Sequence, residues 1–593
     1  MTDTVKIKID GIEVKLEKNA SILDAAKQLN IKIPTLCHHE DLCVAGNCRV
    51  CVVEQEGVHN LVPSCSTPAL DGMIIHTMTP KVRKARKDLI ALLVSEHNTQ
   101  CTTCYRSKNC ELQDLAAEYN IDNEVYLSVL KPSKVDRSSW SIEKDDSKCI
   151  RCQRCVRTCA ELQHVNALDV AYRGKDMKIS TFMDLHMNEV VCVNCGQCII
   201  HCPTGALTER RYYDNIWDAI GDPKKHVIIN TAPSVRVALG ETLGFPVGTR
   251  VTKKMVTALK KIGFDAVLDT DFAADVTILE EGHELLHRLK RVFVDKEKVS
   301  LPMITSCSPG WVKFIEHMYP NYLSHLSTCK SPQQMFGALA KTYYAKKKGI
   351  DPKDIVSVAG MPCSAKKYEA NRPEMKSSGY NDVDAGLTTR EIGHMIKETG
   401  VDFLSLEETE FDSLMGESSG AGVIFGATGG VMEAALRTVY EVVTGREVPF
   451  KNLNITPVRG LKGVKEATIK IENCVPAFSF LEGVELKIAI AHGLINARIV
   501  MDQVEKGTSP YHFIEIMACP GGCIGGGGQP IPTNCEIRQK RIDAIYEEDA
   551  NMPVRKSHEV KEVQELYRDF LKEPLGQKSH HLLHTKYTKR NRY

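Results

Sequence analysis

Two runs decide how this chain is built: Cys149–Cys159, CIRCQRCVRTC, and Cys192–Pro203, CVNCGQCIIHCP. Both space their cysteines C-x2-C-x2-C-x3-C, so the second is an internal repeat of the first. In the bacterial ferredoxin pattern with this spacing, the fourth cysteine of each run ligates the other [4Fe–4S] cluster. Cys149, Cys152, Cys155 and Cys202 are therefore assigned to one cluster, and Cys192, Cys195, Cys198 and Cys159 to the second. Zinc is a poor rival for this spacing.

Upstream, VKIKIDGIEVKL alternates apolar and polar residues on either side of Asp10-Gly11, which predicts a hairpin, and Ser21 opens a predicted helix, SILDAAKQLN. Cys37, Cys48, Cys51 and Cys65 follow, and the combination suggests a [2Fe–2S] ferredoxin-like domain, with structural zinc as the bland alternative. The first interval is longer than in the plant-type pattern, and the extra Cys43 reads as a loop thiol. Next comes HNTQCTTCYRSKNC, carrying His97, Cys101, Cys104 and Cys110. Out of context this set reads equally well as zinc; its neighbours favour a third [4Fe–4S] cluster with one imidazole ligand.

Of the 23 cysteines, 16 fall before residue 203, and tight spacing in a reducing compartment favours metal over disulfides. Lys+Arg number 76 against 75 Asp+Glu, so nothing points to nucleic acid or a membrane surface. The charged, alternating start and the lack of a long apolar run predict a soluble cytoplasmic protein. Four clusters in series imply one-electron transfer towards a reaction centre further along the chain.

Beyond residue 213, VIIN, DAVLDT, PMITSC, IVSVAG, LKIAIAHG and FIEIMAC read as buried strands. They alternate with helical stretches such as RVALGETLG, KKMVTALKKIG, REIGHMIKETG and GGVMEAALRTVYEVVTG. This predicts an α/β catalytic domain with two lobes of mostly parallel sheet and helices, preceded by three small α+β iron–sulfur domains. Sites in such sheets gather at the carboxyl ends of strands. Three cysteine-bearing turns stand there: TSCSPGW (Cys307), MPCSAKKYEA (Cys363) and MACPGGCIGGGGQP (Cys519 and Cys523).

These turns resemble the three signature loops of the [FeFe]-hydrogenases, and the likeness runs through the four accessory groups to SHHLLHTKY, which resembles a small-subunit tail fused in cis. The expected domains are 1–80 ([2Fe–2S]), 81–125 (one histidine and three cysteines around a [4Fe–4S] cluster), 126–212 (two [4Fe–4S]), 213–535 (catalytic) and 536–593 (tail). The resemblance implies an H-cluster, a [4Fe–4S] cubane joined through one cysteine sulfur to a diiron unit with CO, cyanide and a dithiolate amine. By position, Cys363, Cys519 and Cys523 would hold the cubane, with Cys523 bridging. Lys366 would donate to cyanide, since a buried ammonium needs an anion. Ala232, Pro233, Ser234, Gln333, Met361, Pro362, Phe425, Gly426 and Met517 would line the diiron pocket. Glu281, Glu284, Ser327 and Glu369 would carry protons, with Arg288 near the outer end. Taken alone, each of these carboxylates reads as part of a solvated helix face.

The family's usual form of the first loop is TSCCPGW, with a relay cysteine followed by a ligand cysteine. Here Cys307 matches the relay and Ser308 stands in the ligand position. Either Ser308 ligates as alkoxide, or Cys307 shifts to iron and Ser308 takes up part of the relay. Thiolate is the better ligand, which favours Cys307 on the cubane.

The resemblance implies reversible 2 H⁺ + 2 e⁻ ⇌ H₂, most like catalytic subunits of NAD(P)-linked electron-bifurcating complexes. Alternatives are a stand-alone ferredoxin hydrogenase or a non-catalytic electron-transfer, assembly or sensor homologue. Residues 416–430, GESSGAGVIFGATGG, lack the preceding strand and the spaced acidic residue of a dinucleotide site, and GGGGQP lacks the Lys-Ser/Thr of a P-loop. Nucleotide chemistry therefore calls for partner subunits carrying flavin and iron–sulfur clusters and binding NAD(P)H, with ferredoxin as a further partner.

Overall fold

The computed structural model describes residues 4–121 and 134–591. The expected boundary at 125/126 and the last two residues of the tail lie outside the described residues. No described helix is long and apolar enough to cross a membrane.

At the front, Thr4–Ile9 pairs antiparallel with Ile12–Glu17. Asp10 and Gly11 both take positive φ (47° and 87°), the conformation that a two-residue hairpin turn requires. The sheet has five strands in the order Ile12–Glu17, Thr4–Ile9, Ile74–His76, Val52–Gln55, Val62–Pro63. Helix Ile22–Gln28 starts at Ser21, whose side chain accepts from the Asp24 backbone N–H while Asp24 reaches back to the Ser21 N–H. That capping box satisfies donors the first helical turn leaves open.

The catalytic region has two lobes. One sheet is wholly parallel, ordered Ala266–Asp269, His226–Thr231, Ile355–Met361, Ala385–Thr388. The other runs Met303–Ile304, Phe513–Met517, Glu485–His492, Val464–Lys470, and only its last pair is antiparallel. Most expected strands and helices form; PMITSC shrinks to two paired residues, and RVALGETLG holds only the short helix Leu239–Thr242. Helix Thr270–Phe293, not singled out in the sequence, runs through the interior with 18 buried residues, Glu280, Glu281 and Glu284 among them. It packs on helices Pro332–Leu339 and Gly430–Thr444 and brings acidic groups into the core.

The strands Ile355–Met361 and Phe513–Met517 lead straight into the Cys363 and Cys519 turns. Met303–Ile304 precedes the first loop, which ends at helix Pro309–Met318. Cysteines far apart in sequence therefore meet where two sheets expose their carboxyl edges.

Candidate active site

A cavity of about 70 Å³ opens where these turns converge, lined by Cys307, Ser308, Cys363, Lys366, Cys519 and Cys523. Ala232, Pro233, Gln333, Met361, Pro362, Phe425 and Met517 form its expected apolar wall. Ser234 and Gly426 do not line it; they pack on each other, a Cβ on Gly426 falling 3.3 Å from Ser234 Cβ. Thr270, Ala274, Gly310 and Gly522, which the sequence reading missed, complete the wall, as does Cys195 from the ferredoxin region. The glycines of the third loop have a steric reason. A Cβ on Gly527 would sit 2.2 Å from the Cys195 carbonyl oxygen, and one on Gly526 would sit 2.3 Å from that of Pro362.

The electrostatics are those of a dry thiol site. Burial pushes the Cys523 thiol up to about 12, helped by Cys363 and opposed by Lys366. Cys519, Cys363 and Cys307 are raised as well, burial leading in each. Such thiols ionise when a metal cation replaces the missing water. Lys366 Nζ donates to Glu369 Oε2 at 2.8 Å and to the Cys307 carbonyl at 3.1 Å. Gln333 Oε1 is buried without a partner. A soft three-cysteine set and an ammonium at the wall fit an anionic iron–sulfur group.

The two neighbours in the first loop differ in their contacts. Ser308 is the N-cap of helix Pro309–Met318 but makes no capping bond; its Oγ accepts from the Ala518 N–H at 3.2 Å, beside Cys519. Cys307 packs against the second lobe's core and is raised first by burial, then by Glu281 and Cys523. Both residues line the cavity, Ser308 on the side of Ala518 and Cys519 and Cys307 near Glu281 and Cys523.

Glu281, Glu284, Ser327 and Arg288 come together as a chain. Burial, with Glu284 next, raises Glu281 to about 8, while a hydrogen bond with Ser327 opposes this. Ser327 Oγ donates to Glu284 Oε2 at 2.9 Å, and Arg288 Nη2 donates to Glu284 Oε1 at 2.7 Å. Glu369 instead joins Lys366, Ser331 Oγ (2.8 Å) and Gln333 Nε2 (3.3 Å), so its hydrogen bonds tie it to the ammonium and not to Glu281.

The accessory sets are equally concrete. Cys149, Cys152, Cys155 and Cys202 line one small cavity of about 20 Å³. The Cys198 thiol is raised by burial, then by Cys195, Cys192, Cys155 and Cys159. Cys51 Sγ lies 3.3 Å from Cys65 Sγ, and Cys37 is hydrogen-bonded to Cys48 and Cys65. The exposed Cys43 donates to Glu161 Oε1 at 2.7 Å, away from that set. His97 is buried with Nδ1 unpartnered, Cys110 is buried, and Cys101 and Cys104 are half-buried. Both front domains dock on the same half of the ferredoxin repeat: Arg154 holds Glu111 in a two-bond fork at 2.6 and 2.8 Å, and Arg157 Nη2 donates to the Cys37 carbonyl at 2.5 Å. That gives specific geometry as well as charge pairing.

A chain of iron–sulfur sites ending at a buried cysteine chamber with a carboxylate exit defines a multi-cluster redox enzyme. Comparison with known proteins narrows the class. Residues 225–527 match the iron only hydrogenase large subunit, C-terminal domain, and 535–590 the iron hydrogenase small subunit. Residues 2–80 match a 2Fe-2S iron-sulfur cluster binding domain, 86–124 the NADH-ubiquinone oxidoreductase-G iron-sulfur binding region, and 140–208 the ferredoxin-like domain of NADH-quinone oxidoreductase subunit 3. The chain is 48% identical to NADP-reducing hydrogenase subunit HndD of Solidesulfovibrio fructosivorans, covering 99% of each. It is 39% identical to iron hydrogenase 1 of Clostridium pasteurianum, covering 98% of this chain and 99% of that one. A solved variant of [FeFe]-hydrogenase HydA1 from Chlamydomonas reinhardtii matches with TM-score 0.57 and 43% identity, over 63% of this chain and 98% of that one. The chain belongs to the iron-only, or [FeFe]-, hydrogenase family. It is an oxidoreductase with [2Fe–2S], [4Fe–4S] and H-cluster domains, acting on protons and H₂.

Proposed function

We propose that this chain is the catalytic subunit of an NAD(P)-linked, electron-bifurcating hydrogenase, with Cys363, Cys519, Cys523 and Ser308 holding the cubane and Cys307 as the proton relay. The observation that carries the site assignment is the meeting of these groups with Lys366 in one apolar cavity beside Cys195. When bound, the H-cluster supplies the two-electron chemistry joining protons to H₂. Lys366 would anchor its anionic ligands, and Gln333 Nε2 steadies Lys366 and Glu369 by donating to the Lys366 carbonyl and to Glu369 Oε2. Met361, Phe425 and Met517 keep water out, which strengthens each electrostatic contact. Cys307 exchanges a proton with Glu281, neutral below about pH 8, and Ser327 links Glu281 to Glu284.

Electrons would enter through the [2Fe–2S] domain and the domain that carries His97. Both contact the ferredoxin half that carries Cys149, Cys152, Cys155 and Cys202; the other half abuts the chamber through Cys195 and Gly196. The match to NADH-oxidoreductase iron–sulfur regions and to the NADP-reducing relative supports partner subunits that bind NAD(P)H through flavin, and ferredoxin as a second carrier. The test uses the purified chain with its clusters. It should evolve H₂ from a reduced one-electron dye and show CO and cyanide infrared bands, yet stay inactive with NADH or NADPH alone. Nucleotide-driven turnover by the chain alone would refute the need for a flavin partner, and absent infrared bands would refute the H-cluster site.

A further inference from the structure

The carboxylate chain needs an outlet, and Arg288 cannot be its carrier. Its guanidinium donates to Glu284 at 2.7 Å and to the carbonyls of Leu326, Ser324 and Ser300 at 2.8, 3.1 and 3.3 Å. Arginine stays protonated in proteins and accepts nothing, so it orients and charge-balances Glu284 without passing protons on.

Glu284 has a second neighbour. Cys329 Sγ lies 3.8 Å from Glu284 Oε2 and 4.0 Å from Nδ1 of His584, a buried residue of the C-terminal tail. The tail is zipped to this segment by Lys330 N–H to Leu583 O (2.8 Å) and Thr585 N–H to Thr328 O (2.7 Å). His584 is held on both nitrogens, by Thr328 Oγ1 at 2.8 Å and Glu280 Oε2 at 3.1 Å. Glu280 also accepts from Tyr567 OH at 2.6 Å, Leu575 N–H at 2.9 Å and the Ser579 hydroxyl. Burial pushes Glu280 up, but these donors together hold it below the usual carboxylate range. A carboxylate is thereby fixed against one ring nitrogen of His584.

We infer that His584 carries protons for this hydrogenase, acting on Glu284 through the Cys329 thiol. In the inward direction, imidazolium Nδ1–H gives its proton to Cys329 Sγ as the thiol's own proton passes to Glu284 Oε2. The thiol is restored, the imidazole is left neutral, Glu284 becomes a neutral acid, and no electrons move. The exposed His580, whose ring lies parallel to that of His584 with centroids 4.8 Å apart, marks the solvent side. The titratable or charged groups around His584 are Glu280, Glu284 with Arg288 behind it, Cys329, His580, Tyr567 and Tyr587.

The inference rests on the hydrogenase reading, and the two can fail separately. In the full chain with its clusters, His584→Gln keeps an N–H for Glu280 and an oxygen for Thr328 but cannot carry a proton. It should lower dye-driven H₂ evolution by about tenfold or more, with an altered pH profile and unchanged CO and cyanide bands. His584→Gly should be equally slow and recover with added imidazole. Independently of turnover, the Cys329 S–H stretching band, assigned with Cys329→Ala, should shift with pH in the chain lacking its diiron unit, and in His584→Gln only the part of that shift near pH 8 that follows Glu281 should remain. Turnover of His584→Gln within about twofold of the parent at every pH tested, or a slow His584→Gly that imidazole does not rescue, would overturn the inference. A parent chain without H₂ turnover and CO bands would sink the hydrogenase reading instead, leaving the S–H band to decide on His584.

Discussion

The ferredoxin repeat and the catalytic chamber both gather cysteines around iron, by opposite routes. In the repeat, three of the four ligands assigned to each cluster lie in one short run. Arg151 and Gln153 take φ of 55° and 63°, and their counterparts Asn194 and Gly196 take 60° and 69°. Each run then enters a short helix, Arg154–Arg157 or Gln197–His201. The same backbone is written twice, and the residues differ where the surroundings differ. Gly196 faces the chamber, where a Cβ would meet Ser364 Oγ at 2.1 Å; Gln153 bears a side chain in the same left-handed conformation. In the chamber only Cys519 and Cys523 share a turn. Cys307, Cys363 and Cys519 each follow a different strand, and the two sheets must form before the thiols meet.

The strongest test of this contrast removes one corner of the chamber. Cys523→Ala should abolish H₂ evolution from a reduced dye while the accessory clusters keep their electron paramagnetic resonance signals, because none of their assigned ligands comes from the third loop. Substantial turnover by that variant would break the convergence picture.

Next in size is the buried acid. Glu281→Gln should slow turnover by about 10²–10⁴-fold with the CO and cyanide bands intact, since an amide keeps the shape but cannot exchange a proton. In the parent, turnover should fall as pH rises through about 8, where Glu281 loses its proton. Stability carries the matching sign. Between the ordinary 4.5 and about 8 the folded chain holds a proton that the unfolded chain has released. This group's contribution to stability therefore falls with rising pH, by up to about 1.4 kcal/mol per unit, and levels off above that window. Glu281→Gln should flatten that slope in denaturant titrations at several pH values.

The same contrast explains what the sequence made legible. The repeat could be read because its ligands lie in two runs of identical spacing. The chamber could be read because each cysteine turn follows an apolar strand and matches a family loop. Glu281 taken alone reads as a solvated helix face, yet it is 2% exposed, because helix Thr270–Phe293 is packed on nearly all sides and acidic residues mask its interior position. Cys329 and His584 had no local signal, since a lone cysteine and a tail histidine acquire meaning only where the tail pairs with residues 328–330. The contact of Ser308 escapes the sequence for a related reason: ligand preference favours sulfur, whereas the chain's entry into helix Pro309–Met318 sets the Ser308 Oγ against the Ala518 N–H.

A smaller effect separates the two halves of the repeat. Gly196→Ala adds a Cβ against Ser364 Oγ at a left-handed position and should cost about 1–3 kcal/mol in thermal or denaturant unfolding. Gln153→Gly, at the equivalent place with φ of 63°, should change stability by no more than about 1 kcal/mol. Equal losses at both positions would mean that the repeat, and not its contact with the chamber, sets the glycine.

The smallest expected effect lies at Ser308. Its Oγ takes the Ala518 N–H beside Cys519, so Ser308→Cys places a sulfur where the structure has an oxygen. Thiolate is softer than alkoxide and binds iron with less help from the metal, so the cubane's own spectrum and reduction potential should shift. The relay should be untouched, because Cys307 keeps its place near Glu281. Turnover should then stay within about threefold of the parent, a change of less than about 1 kcal/mol in the barrier. Potentiometric titration of the cubane signal, with the accessory clusters as internal controls, reads the effect directly. If Ser308→Cys leaves both spectrum and potential where they were, Ser308 is not at the cubane, and the chamber's fourth corner must be sought at Cys307 after all.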